Sequence, residues 1–372
     1  MEAKEAALKI KKLLLPAPCG QRISLPVQLA GSNLQLIAIK GQCIGPTVLI
    51  RGTLQGLENA GAVACLALSH ELEKILYSGK VLFCLSEDAL EPAARQAEHW
   101  LSGDASWKPS LTEIRTKKQD GKRRHADSVS DTARAFAAEA EAVAGFGTVS
   151  GAPQRKNSRF WQFESSSYQL TAFAELVTGV ADYFIDLRGC GSGKEILPHA
   201  ATFGQEARLF SEIARLLDGL HLHYMLRTST EDPLLYALAS CRLPAVALSA
   251  GAGELVQTAA VQLHKNNVRL LLTKLNMLRE DSMPPCWEQK PQVLGKQERL
   301  KFPCSGMLKT YLPAGTRLHR GDVILRILDA GNGAERCLRC PVEGVLLQVC
   351  TERCVQEREL AASVARCFAS CV

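Results

Sequence analysis

The chain's 372 residues exceed one ordinary domain and set two as the expectation. Apolar residues make up 47% and charged residues 22%, a globular balance with material for a sizeable core, and no apolar run nears the ~20 residues of a membrane span. Forty-four Lys+Arg against 38 Asp+Glu give a net +6, too dilute for a dedicated nucleic-acid binder.

The opening segment, MEAKEAALKIKKLLLPAP, carries charges throughout and only Leu13 to Leu15 as an apolar run, so a secretory pattern is absent. Fourteen Cys without such a leader point to reduced thiols in a soluble, cytoplasmic protein. Leu34 to Ile39 predicts a strand, Gly45-Pro46 a break, and Thr47 to Ile50 a second strand buried on both faces. A helix over Gly61 to Tyr77 and a buried strand over Lys80 to Leu85 complete a βαβ unit.

Residues 104–158 interrupt this order. Lys108 to Ser128 holds seven basic residues against three acidic, a net +4 with little apolar content. Such a run reads as a disordered, solvated insertion, and it lacks the aromatic interleaving that single-strand nucleic-acid binding needs. Order resumes with a helix over Tyr168 to Val180, a strand over Asp182 to Leu187 and a helix over Glu206 to Leu217. A strand over Leu243 to Leu248 and a long helix over Glu254 to Asn276 follow. Beyond Pro284-Pro285, short strand-like runs separated by glycine turns predict a small all-β domain. The predicted architecture is an α/β domain over 1–295, a mixed or parallel sheet flanked by helices, followed by a β-domain over 296–372.

Four segments in collinear order carry a resemblance: Gly52-Thr53-Leu54-Gln55-Gly56-Leu57-Glu58-Asn59, Asp182 to Arg188, Leu243 to Gly251, and a tail with Arg320-Gly321-Asp322-Val323 and Pro341-Val342-Glu343-Gly344. Together they resemble the succinylglutamate desuccinylase/aspartoacylase family. The resemblance implies a zinc-carboxypeptidase-like fold that hydrolyses N-acyl amino acids, with His-Gly-x-Glu and Asp-Leu-His motifs holding zinc and a Glu as general base. Here Gln55 stands at the first His, Glu58 is kept, Arg188 replaces the second His and Ser249 the general-base Glu. Gln suits zinc poorly, and Arg has no lone pair to offer and is always charged. Ser249 is no general base without a partner.

The metal site therefore reads as degenerate, with no cofactor, and the chain as a pseudoenzyme keeping its pocket for an anionic or N-acylated small ligand or a protein partner. Arg188, Glu58, Gln55 and Arg95 are the candidate ligand-binding residues, with Arg188 expected to pair with Glu58 in place of the metal. Two alternatives stay open: a working zinc hydrolase with nonstandard ligands such as Glu58, His221 or His223, and a scaffold acting through the β-domain and basic insertion. Cys337-x-x-Cys340 with Cys350-x-x-x-Cys354 has zinc-like spacing but reads as apolar filling of strands.

Overall fold

A computed structural model of the chain describes residues 2–52, 60–86, 167–191, 193–252, 256–279, 285–287 and 289–367. The insertion at 104–158 lies outside them. At the N-terminus, Ala3, Ala7, Ile10 and Leu14 recur at helical spacing and are buried, which makes Glu2–Leu14 an amphipathic helix, α1. The sequence reading, which weighs this stretch only as a targeting signal, misses the helix.

Strands β1 (Arg22–Leu29), β2 (Ser32–Lys40) and β3 (Cys43–Gly52) follow, then helix α2 (Ala60–Ile75) and strand β4 (Ser78–Ser86). The expected break at Gly45-Pro46 is absorbed inside β3, where a register shift against β4 falls between Cys43 and Thr47. Helix α3 (Ser167–Val180) leads to β5 (Tyr183–Arg188), and β6 (Lys194–Phe203) precedes α4 (Ala207–Leu217). Then come β7 (Tyr224–Thr228), α5 (Pro233–Ser240), β8 (Ala245–Ala252) and α6 (Thr258–Lys274). The last helix is shorter than the predicted 254–276: residues 256–257 are not helical, and Gln257 stands in an extended conformation just before the first turn.

β3, β4, β5 and β8 are parallel neighbours, as the βαβ reading requires. β1 and β2 add antiparallel strands at one side, and β6 runs antiparallel to β8 on the other, which makes the sheet mixed. Helices α2, α4 and α6 cover one face over Val48, Ile50, Ile185, Leu187 and Val246. Helices α1, α3 and α5 cover the other over Leu49, Leu82, Phe184 and Ala247. Val48, Leu49 and Ile50 of the run predicted to be buried on both faces are fully buried, while Thr47 at its start is half-buried; each fully buried apolar side chain contributes roughly 1.5–3 kcal/mol.

The C-terminal residues form β9 (Gln292–Lys301), β10 (Gly306–Tyr311), β11 (Arg317–Leu318), β12 (Val323–Asp329), β13 (Glu335–Arg339), β14 (Gly344–Cys350), β15 (Cys354–Val355) and β16 (Leu360–Cys367). Strands β9, β16, β14 and β11 continue the large sheet, β9 pairing parallel with β7, while β13, β12, β10 and β15 make a second, four-stranded sheet. Among the described residues no helix is long and apolar enough to cross a membrane, and no disulfide joins any described cysteine.

Candidate functional site

Register builds the centre of the site. Arg51 near the end of β3 is the parallel partner of Asp186 on β5, and partners across a sheet share a face. Arg188 lies two residues further on, so strand alternation returns it to that face. Asp186 is fully buried and accepts from Arg51 Nε at 2.7 Å and Arg51 Nη2 at 2.6 Å, a bidentate pair, and from Arg188 Nε at 2.6 Å. Arg188 Nη1 donates in turn to Asp232 at 2.6 Å. The other oxygen of Asp232 accepts the Leu235 N–H at 3.1 Å and caps α5. Two arginines and two aspartates thus alternate in one chain across β3, β5 and the start of α5.

The electrostatics follow from that order. Burial by itself raises the pKa of Asp186, but the Arg51 and Arg188 cations overcome it and hold the carboxyl well below the usual carboxylate range. Burial opposes the charge of Arg188, yet Asp232 and Asp186 outweigh it and raise its pKa further. The Arg51 guanidinium also lies 5.3 Å from the Phe173 ring centroid and 5.9 Å from that of Phe184, within cation–π range.

Beside this network runs a row. Arg188 pairs with Ser249 across β5 and β8, and Ser249 pairs with His199 across β8 and β6. The three side chains therefore stand abreast on one face near the carboxyl ends of β5 and β8, and Ser249 and His199 are both buried. His199 reaches this place through an irregularity in β6 between Ile196 and His199, next to Pro198. Its Nδ1 lies 2.8 Å from the Leu197 carbonyl oxygen. Burial first, and the nearby Arg188 charge, lower the pKa of His199 below its ordinary value. On the opposite side of β5, buried His264 of α6 hydrogen-bonds the Arg188 backbone, and burial brings its pKa down to about 4.

Of the residues singled out by sequence, Arg188 and Ser249 come together here. Gln55, Glu58 and Arg95 lie outside the described residues, so the Glu58 half of the expected Arg188–Glu58 pair does as well. The described carboxylates on Arg188 are Asp186 and Asp232. His221 and His223 precede β7 rather than lying in it, and both rings pack on Trp287, with centroids 5.4 and 4.6 Å away. Cys337 lies in β13, while Cys340 directs its thiol to the Val342 carbonyl. Among the described residues no group of three or more His, Cys, Asp or Glu is placed to hold a metal ion.

The zinc implied by the resemblance does not fit the described residues. Arg188, which the resemblance would set at a ligand position, has no lone pair to give, and its charge is already met by two carboxylates. Arg51 and Asp232 are the neighbours that sequence reasoning missed. Arg51 had a signal, being a lone cation that follows a buried apolar run. Asp232 had only the Asp-Pro of a helix start.

Comparison with known proteins places the architecture. No protein-family model and no curated protein sequence matches the chain. Solved structures do. An aspartoacylase family protein from Mesorhizobium loti is 16% identical with a TM-score of 0.60, covering 95% of this chain and 96% of its own. The ectoine utilization protein EutE (DoeB) from Ruegeria pomeroyi is 14% identical with a TM-score of 0.64, covering 94% and 98%. A succinylglutamate desuccinylase/aspartoacylase from Rhodobacter sphaeroides is 13% identical with a TM-score of 0.61, covering 95% and 96%.

Proposed function

We propose that this chain, which has the fold of the aspartoacylase and succinylglutamate desuccinylase structures, is a metal-free derivative that no longer performs zinc-dependent hydrolysis. One observation carries the reading: Arg188, where the third zinc ligand is expected, is ion-paired at 2.6 Å to both Asp186 and Asp232. A cation in that place removes a donor and repels a second cation. Turning it out would leave fully buried Asp186 with Arg51 alone and deprive Asp232 of its ion pair, and weakening the pairing of a buried charge is unfavourable.

The same network narrows the ligand. Its two arginines and two aspartates sum to zero, so Arg188 is not a free cation awaiting an anionic group. The proposal is therefore a pocket for a small N-acylated ligand, recognised through its acyl group, in a soluble cytoplasmic protein.

Zinc content of the purified full-length chain, measured with hydrolysis of N-acetylaspartate and N-succinylglutamate, tests this reading. The expected result is far less than one zinc per chain and no zinc-dependent turnover. Near-stoichiometric zinc that a chelator removes together with hydrolysis would overturn it.

A further inference from the structure

Along the sequence Ser249 has no partner and is inert. The fold gives it one. His199 is its cross-strand neighbour in the antiparallel β6–β8 pair, and residues so placed have Cβ atoms ~4.5–5.5 Å apart. The imidazole is also oriented. Its Nδ1 faces the Leu197 carbonyl oxygen at 2.8 Å, and a carbonyl oxygen only accepts, so Nδ1 carries the proton and Nε2 the lone pair. Burial and the Arg188 charge keep the ring neutral, the form a base needs. A hydroxyl, an imidazole and an orienting acceptor on one sheet face are the parts of the nucleophile–base–orienter arrangement of covalent acyl transfer, with a backbone carbonyl as the third member.

We propose that Ser249 accepts an acyl group, with His199 as its base, from an activated acyl donor such as an ester of a small carboxylic acid. This rests on the metal-free reading above, because a zinc-bound water at this place would be the competing nucleophile. As Ser249 Oγ bonds to the donor's carbonyl carbon, its proton passes to His199 Nε2. The bond from that carbon to the leaving oxygen then breaks, and the alcohol departs with the proton from Nε2. The products are an ester on Ser249 and a free alcohol, with no change of oxidation state. The Oγ–Nε2 hydrogen bond is not made in the present conformation, and nucleophile–base pairs are often looser before substrate binds.

The full-length protein is incubated with p-nitrophenyl acetate, release of p-nitrophenolate is followed, and the acetylated residue is mapped by peptide mass spectrometry. Acetylation of Ser249 is expected, abolished in Ser249→Ala and slowed about a hundredfold in His199→Gln, the scale of a positioned general base. Ser249→Cys keeps a nucleophile at the site and is expected to be acylated on the introduced thiol, which separates lost chemistry from lost folding. Acetylation confined to lysines or surface cysteines, or a wild-type rate at Ser249 in His199→Gln, would overturn the proposal. Zinc content of the same sample keeps the two readings apart: zinc-free protein that leaves Ser249 unmodified defeats this inference alone, whereas zinc-loaded protein defeats the reading beneath it.

Discussion

Asp186 is the residue on which the site turns, because two arginines converge on a carboxylate that has no exposure to water. Replacing it with Asn keeps the shape and removes the charge, taking from Arg51 its bidentate carboxylate and leaving Arg188 with Asp232 alone. Breaking a buried pair in this way costs about 3–5 kcal/mol, so Asp186→Asn is expected to lower the urea midpoint strongly. Acid should act on the same bond. The folded-state pKa of Asp186 is held below its unfolded value by Arg51 and Arg188 despite burial. The native state therefore binds fewer protons than the unfolded one at low pH. Its contribution is complete above the unfolded carboxyl pKa of ~3.9 and disappears as pH falls below that. Urea midpoints of the wild type should drop more steeply between about pH 4 and pH 2 than those of Asp186→Asn; equal slopes would remove Asp186 as the origin.

Among the elements, α2 is seated against β5 at a glycine. Gly61 lies one residue inside α2, and a Cβ built there would stand 2.3 Å from the Leu187 carbonyl oxygen and 2.9 Å from its carbon. That neighbour is strand backbone, flanked by β3 and β8, and cannot rotate away. Gly61→Ala would gain helix propensity in isolation, yet the clash dominates, with a net loss of about 1–3 kcal/mol expected in chemical unfolding. Unchanged or raised stability would show that α2 is free to shift. Helix α1 and strand β6 teach the converse lesson about legibility. α1 spaces Ala3, Ala7, Ile10 and Leu14 regularly but hides them among lysines and small alanines. β6 contains Pro198, which reads as a loop until an irregular pairing with β8 accommodates it.

At the scale of the molecule, the C-terminal strands do not merely follow the α/β part. β9 pairs with β7, β14 pairs with β6, and Leu294, Val345, Leu347 and Ala365 belong to the same core as Leu49 and Phe184. A chain ending at residue 291 would uncover two strand edges and lose part of one hydrophobic face. We expect it to show no sharp thermal transition and to aggregate through those edges. A cooperative melt with near-wild-type circular dichroism would instead mark 1–291 as self-sufficient.

The sequence by itself determined the alternation of buried strands and helices, and carried the resemblance that would set Arg188 and Ser249 where the family keeps His and Glu. Those are local facts: apolar runs such as Thr47 to Ile50 declare burial by composition, and an arginine cannot ligate zinc wherever it lies. Tertiary structure alone decided what Arg188 and Ser249 face. Asp232 lies 44 residues from Arg188 and Arg51 lies 135 from Asp186, and only strand register puts these charges in contact. His199 and Ser249 likewise meet because β6 runs antiparallel to β8. Strand pairing couples residues remote in the chain, and no periodicity within one segment encodes which partner will lie opposite.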